Sequence, residues 1–159
     1  LMITHLNKKN NPTIVDISKK NKTKRSAIAQ GTIQFSKSTF KKIESLKTKK
    51  GEIINTSIIA GISGAKKTSD IIPLSHNIII ENIDIDISTK KKDSLLIVTC
   101  YVQSFGKTGV EMEALTGVAI ACLTIYDMCK NIDKKIIIKN IQLLEKKGGK
   151  SDFFKSLDS

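Results

Sequence analysis

This chain has no tryptophan, aromatic residues make up only 4% of it, and Arg25 is its single arginine. Proteins that grip single-stranded nucleic acid stack bases on aromatic side chains, so the shortage argues against that partner. Cysteine is sparse too: Cys100, Cys122 and Cys129 form no CxxC pair and no Cys/His cluster with zinc spacing. They read as small buried hydrophobes in a reducing compartment. No apolar run approaches the ~18 residues that a membrane span needs. The opening "LMITHLNKKNNPT" lacks the apolar core of a signal peptide. A soluble cytoplasmic protein is the expectation. Two stretches hint at a phosphate loop without matching one. "GISGAKKT" lacks the second glycine immediately before its Lys-Thr pair, and "YVQSFGKTG" has Tyr101 where the first glycine should stand. Their lysines remain available as simple phosphate binders.

What the chain does have is 159 residues, 40% hydrophobic and 26% charged. That suits one globular domain with a real core. The net charge is +12 and the isoelectric point is near 9.6. Clustered basic residues release counterions from nucleic-acid backbones. Here, though, lysine, asparagine and isoleucine are heavy throughout, which is a compositional bias rather than a patch. A polyanionic small molecule suits the same lysines.

Residues 1–24 are polar and lysine-rich and read as a mobile arm carrying a short extended piece, "TIVDIS". Residues 25–147 read as one α+β domain, and 148–159 as a flexible, glycine-rich tail. "SAIAQGTIQF" alternates as a strand, and Ser38 and Thr39 can cap a short helix through about Leu46. A second helix is expected from about Ile54 to Thr68, stopped by the Pro73 region. "NIIIENIDIDIS" and "SLLIVTCYVQSF" are strands joined by the polar "TKKKDS" as a hairpin. A long helix follows from about Val110 to Asn131, and "KIIIKNIQLLEKK" is the last strand. The order predicts a ferredoxin-like α+β fold: a mainly antiparallel sheet with helices packed on one face.

Single residues in this frame have ordinary readings. His76, in the proline-stiffened "SDIIPLSHN", fits a structural hydrogen-bonder, although its near-neutral pKa suits proton transfer. Arg25 and Lys50 read as solvated surface residues. The long helix is different. Glu111 and Glu113 stand at its start, Asp127 and Lys130 at its end, and "ALTGVAIACLTIY" between them carries no charge. Glutamates favour a helix N-terminus, and an i,i+3 pair contributes a salt bridge of ~0.2–0.5 kcal/mol. Neither explains a body that must be buried on most sides. At ~1.5 Å rise per residue, Glu113 and Asp127 lie roughly 21 Å apart, too far to serve one small substrate within one chain. If both ends are functional, the site is shared between subunits.

Long motifs then carry a family resemblance: "TIVDIS", "TKRSAIAQGTI", "KKGE", "AGISGAKKTSDIIPLSHN", "GKTGVEMEALTGVAIACLTIYDMCK" and "LLEKKGGKS". In this order, over nearly the whole chain, they resemble the MoaC family, the cyclic pyranopterin monophosphate synthases of molybdenum-cofactor biosynthesis. The resemblance implies a lyase that converts 3',8-cyclo-7,8-dihydro-GTP to cyclic pyranopterin monophosphate and releases pyrophosphate. It further implies a ferredoxin-like fold and a homo-hexamer, a trimer of dimers with interface active sites. The partner is then a nucleotide-derived small molecule, not nucleic acid or a membrane. No cofactor or protein-bound metal is required, though Mg2+ can accompany the triphosphate. Carried over by motif, the catalytic residues are Asp127, Lys130 and Lys50. Substrate binding falls to Leu74, Ser75, His76, Glu111, Met112, Glu113, Arg25, Lys67 and Lys146. A positioned set of lysine, histidine and carboxylate can move protons on and off the forming ring, and cations can neutralise departing pyrophosphate.

The chain departs from the family pattern at Ser75, which stands for cysteine, at Asn77, which stands for proline, and at Lys67, which stands for arginine. The last change exchanges a bidentate guanidinium for a point charge. Two other classes compete: a basic binding module with steep salt dependence, and an inactive homologue that scaffolds a partner enzyme.

Overall fold

Alternation of apolar and polar residues sets the sheet in this computed structural model, which describes residues 4–45 and 47–155. Strand β1 (Thr23–Gln34) turns Ala27, Ala29 and Ile33 inward to complete burial, as the period of two requires. Strand β3 (Leu95–Gly106) does the same with Leu96, Val98, Cys100 and Val102. Strands β2 (Ile80–Lys90) and β4 (Ile137–Lys147) flank them. The order is β2-β3-β1-β4-β5, antiparallel throughout. The first four strands give the expected ferredoxin-like arrangement, each helical connection skipping one strand. The hairpin between β2 and β3 closes on a 3-10 turn at Lys91–Asp93, with Ser94 in the left-handed region at φ 55°.

Helix α1 spans Lys37–Ser45, α2 spans Lys47–Lys66, and a single turn, α3, spans Thr68–Ile71. The expected end of the first helix at Leu46 lies outside the described residues. Helix α2 starts seven residues before the expected Ile54. Its first turns, "KTKKGE", have no apolar periodicity to announce a helix, yet lysine and glutamate are good helix formers. The "TIVDIS" piece is extended but pairs with no strand. Part of the segment expected as tail, Phe153–Phe154, forms strand β5 against Glu145 and Lys146.

Helix α4 (Glu111–Cys129) crosses β1, β3 and β4 and packs against α2. Its small side chains Ala114, Val118, Ala121 and Cys122 are fully buried, so the helix lies close to the sheet. By length and mean hydropathy α4 reaches the range of a membrane span, which the sequence reading had not noticed, but half of that stretch is buried in the domain. It is the core helix. All three thiols are buried, and burial pushes Cys100 and Cys122 up to about 12 and Cys129 up to about 11. They stay protonated and unreactive at neutral pH.

Helices α2 and α4 meet through glycine. A methyl added at Gly61 would lie 2.8 Å from Gly117 O and 3.1 Å from Ala121 Cβ, while Ala65 also contacts Gly117. Higher numbers in α2 thus meet lower numbers in α4, so the two helices run antiparallel. Lys50 therefore lies towards the end of α4 that carries Asp127 and Lys130. The loop beyond that end is fastened by Asp133, only 6% exposed, which accepts from Ser36 N and Lys135 N.

Candidate active site

The antiparallel register brings one set of chain positions together. Thr23 pairs with Gly106 and Ala27 with Lys146, so the start of β1 and the ends of β3 and β4 share one end of the sheet. Helix α4 begins there, five residues after β3 stops. Arg25, Lys107, Glu111 and Lys146 converge for that topological reason. Glu111 and Lys146 form an ion pair at 3.4 Å, and Arg25 Nε donates to Gly106 O at 3.4 Å. One wall depends on Gly148, whose φ is +85° and whose added Cβ would lie 1.8 Å from Lys24 O. Glycine alone suits that approach. Thr23 Oγ1 donates to Gly148 O, and Gly148 N donates to Asp152 Oδ1.

Two adjoining cavities open at this end. The larger, about 660 Å³, is lined by Lys19, Lys20, Arg25, Lys107, Lys146, Lys147 and Lys150, with Glu111 as a carboxylate among them. Such a cluster of cations in one concavity suits a polyphosphate. The smaller, about 260 Å³, is lined by Leu74, Ser75, His76, Met112 and Glu113, together with His5, Val15 and Ile17. Lys20, Thr108, Gly109 and Glu111 line both.

The smaller cavity holds a buried, perturbed carboxyl. Glu113 is 3% exposed, and burial, reinforced by the neighbouring Glu111 charge, pushes its carboxyl up to about 7 despite an opposing backbone hydrogen bond. Near neutral pH it can both take and give a proton. His76 Nε2 lies 2.7 Å from Val15 O. A carbonyl only accepts, so Nε2 carries a proton, which leaves Nδ1 as the ring's remaining polar atom.

Of the sequence-derived residues, Arg25, Leu74, Ser75, His76, Glu111, Met112, Glu113 and Lys146 meet around these cavities. Lys50, Lys67, Asp127 and Lys130 line neither. Lys67 is exposed at the foot of α3. Asp127 and Lys130 are exposed and joined at 2.6 Å at the far end of α4. The Asp127 carboxylate raises the pKa of Lys130 and so keeps it an ammonium. Lys50 pairs with Glu44, which also holds Lys91 at 3.1 Å. The Lys50 hydrogen bond, opposed by burial, lowers the pKa of Glu44. Helix α4 is unbroken from Glu111 to Cys129, so the ~21 Å separation between its charged ends holds.

Sequence reasoning missed Glu44, whose contact with Lys50 spans the α1–α2 junction, and His5, which nothing in the polar arm set apart. Lys20, Lys147 and Lys150 were hidden in a chain where lysine is everywhere. Among the described residues no group of three or more His, Cys, Asp or Glu is placed to hold a metal.

The MoaC family model matches residues 14–149. The cyclic pyranopterin monophosphate synthase of Helicobacter hepaticus is 50% identical over 159 residues, covering all of both chains. That of Clostridium acetobutylicum is 44% identical over 153 residues, 96% of this chain and 95% of its own. That of Campylobacter jejuni subsp. doylei is 47% identical over 154 residues, 97% and 98% respectively.

Proposed function

The chain belongs to the MoaC family, and from that premise we propose that it is a cyclic pyranopterin monophosphate synthase of molybdenum-cofactor biosynthesis. It is a lyase that converts 3',8-cyclo-7,8-dihydro-GTP to the cyclic monophosphate and releases pyrophosphate. Full-length identity to named synthases carries the reading. The paired cavities agree with it: one is lined by cations, the other by a buried carboxyl and imidazoles.

In this reading the triphosphate lies against Arg25, Lys107, Lys146 and Lys147, whose charge offsets that developing on pyrophosphate. Any Mg2+ enters with the triphosphate. The ring system lies in the smaller cavity, where Glu113 and His76 shuttle protons during rearrangement. Asp127 holds Lys130 as a positioned ammonium, and Lys50, held by Glu44, is the other acid-base group. These three come from a second copy of the chain: α4 carries Asp127 and Lys130 ~21 Å from Glu113, and Lys50 lies towards that same far end of α4. Exposed apolar residues beside them support such an interface: Leu123 is 55%, Ile132 58% and Ile137 55% exposed. A homo-hexamer of three such dimers, working in the cytoplasm, completes the proposal.

The test is incubation with 3',8-cyclo-7,8-dihydro-GTP, measuring pyrophosphate and the pterin product. Lys50→Ala and Asp127→Ala each abolish product while the assembly survives. Mixing Asp127→Ala chains with Glu113→Gln chains restores about a quarter of wild-type turnover if copies exchange at random and each site draws on two chains. Normal turnover by either alanine variant, or a stable monomer, overturns the shared site.

A further inference from the structure

Residues 5–13, ahead of β1, fold into a closed turn. Leu6 bridges Pro12 in antiparallel fashion, Thr13 N donates to His5 O at 3.0 Å, and Asn7 N donates to Asn11 O at 2.9 Å. The Asn7 side chain caps the turn, accepting from Lys9 N and Asn11 N. Residues 13–17 then run extended, alternating half-buried Thr13, Val15 and Ile17 with exposed Ile14 and Asp16. Two catches fix this strap: His76 Nε2 donates to Val15 O at 2.7 Å, and Lys107 Nζ donates to Ser18 O at 2.7 Å.

The turn delivers one titratable side chain to the smaller cavity. His5 lines it opposite Ser75, His76 and Glu113. His5 Nδ1 is buried without a hydrogen-bond partner among the described residues, and so is Ser75 Oγ in the same cavity. Buried polar atoms are normally paired, and these two unpaired atoms belong to residues that line one cavity, which a small turn of either side chain would bring within reach of a ligand's polar groups.

We propose that His5 is a substrate-contacting residue: carried over the smaller cavity by the folded arm, its imidazole hydrogen-bonds the polar edge of the bound ring system opposite Ser75. The proposal rests on the function reading above and adds a wall that the core domain does not supply. Val15 and Ile17 exclude water from the ring, and His76 has a double duty, anchoring the strap through Nε2 while presenting Nδ1 inward. Specificity for the ring then depends on the arm, whereas polyphosphate affinity is set by the lysine cluster of the larger cavity.

The experiment compares His5→Ala, His5→Gln and Lys8→Ala with the wild-type chain, using 3',8-cyclo-7,8-dihydro-GTP for turnover and inorganic pyrophosphate as competitive probe of the larger cavity. His5→Ala raises KM about tenfold, the order expected when one buried hydrogen bond is left unmade. Its inhibition constant for pyrophosphate stays unchanged, and His5→Gln, which keeps an amide for hydrogen bonding, falls between. Lys8, exposed in the same turn, is the control, and Lys8→Ala behaves as wild type. Wild-type turnover with an unchanged KM in His5→Ala refutes this inference and leaves the function standing. Equal weakening of substrate and pyrophosphate refutes it too, because the arm would then be acting on the whole site. No turnover by the wild-type chain removes the function reading, and this inference with it.

Discussion

Gly61→Ala and Gly51→Ala make one chemical change in one helix and are expected to move stability in opposite directions. In α2 each replacement gains up to ~1 kcal/mol, because alanine loses less backbone freedom on folding and is the better helix former. Among the described residues nothing lies within 4 Å of a methyl added at Gly51, so there the gain stands alone. At Gly61 the methyl falls 2.6 Å from Ile85 Cδ1 and 2.8 Å from Gly117 O. Ile85 can swing its terminal methyl aside. The Gly117 carbonyl belongs to the backbone of α4, and the contact is roughly 0.7 Å inside the ~3.5 Å at which such atoms ordinarily touch. Relief requires α2 and α4 to separate, and overpacking of this kind costs ~1–3 kcal/mol. Set against the gain, this leaves a net loss of up to ~2 kcal/mol. In a domain of this length each kcal/mol moves Tm by ~2–4 °C. Calorimetric melts at one fixed protein concentration, which holds any assembly constant, should place Gly61→Ala below wild type and Gly51→Ala above it. A Gly61→Ala protein that melts at or above wild type refutes the close helix crossing, with Gly51→Ala as the internal check on propensity.

Two further perturbations probe the site. Gly148→Ala forces a side chain into the left-handed region and against Lys24 O, costing at least ~1–2 kcal/mol. It should free β5, weaken pyrophosphate binding in a calorimetric titration and leave the helices' circular dichroism intact; undiminished binding refutes the wall. Glu113 has a folded pKa raised by burial to about 7 from an ordinary 4.5, so the folded chain holds its proton more tightly than the unfolded chain does. The group costs nothing below pH ~4.5, and its penalty grows as pH rises and is full above pH ~7. Urea unfolding across that range should show Glu113→Gln gaining on wild type, by an amount approaching ~3 kcal/mol at the top. Parallel curves refute the burial account.

The elements legible in the sequence were those whose own pattern decides them. Ile83, Ile85 and Ile87 alternate, and "ALTGVAIACLTIY" carries no charge across 13 residues, so β2 and α4 were plain without any partner in view. The start of α2 was not legible, because "KTKKGE" has no apolar face to announce a helix and Gly51 argues against one. Strand β5 was not legible either: Phe153 and Phe154 pair with β4 only because Gly148 turns the chain back on itself. Glu113 was found through one helix and a long family motif, and the same motif singled out Asp127 and Lys130, which line neither cavity. Glu44 and His5 were not, since the contacts of Glu44 with Lys50 and Lys91, and the place of His5 at the smaller cavity, exist only once the chain is folded.

Local order and chemical potential were written in the chain: the period of the strands, the length of α4 and hence the distance between its charged ends, and the residue types able to move protons or bind phosphate. Those follow from bond geometry and side-chain chemistry, which need no neighbours. The meeting of Arg25, Glu111 and Lys146, the burial that lifts Glu113, and the folding of the arm over Ser75 and His76 follow from strand register, helix crossing and desolvation. Those exist only between segments far apart in sequence, so the fold had to bring them together before the lysines lined one cavity and His5 the other.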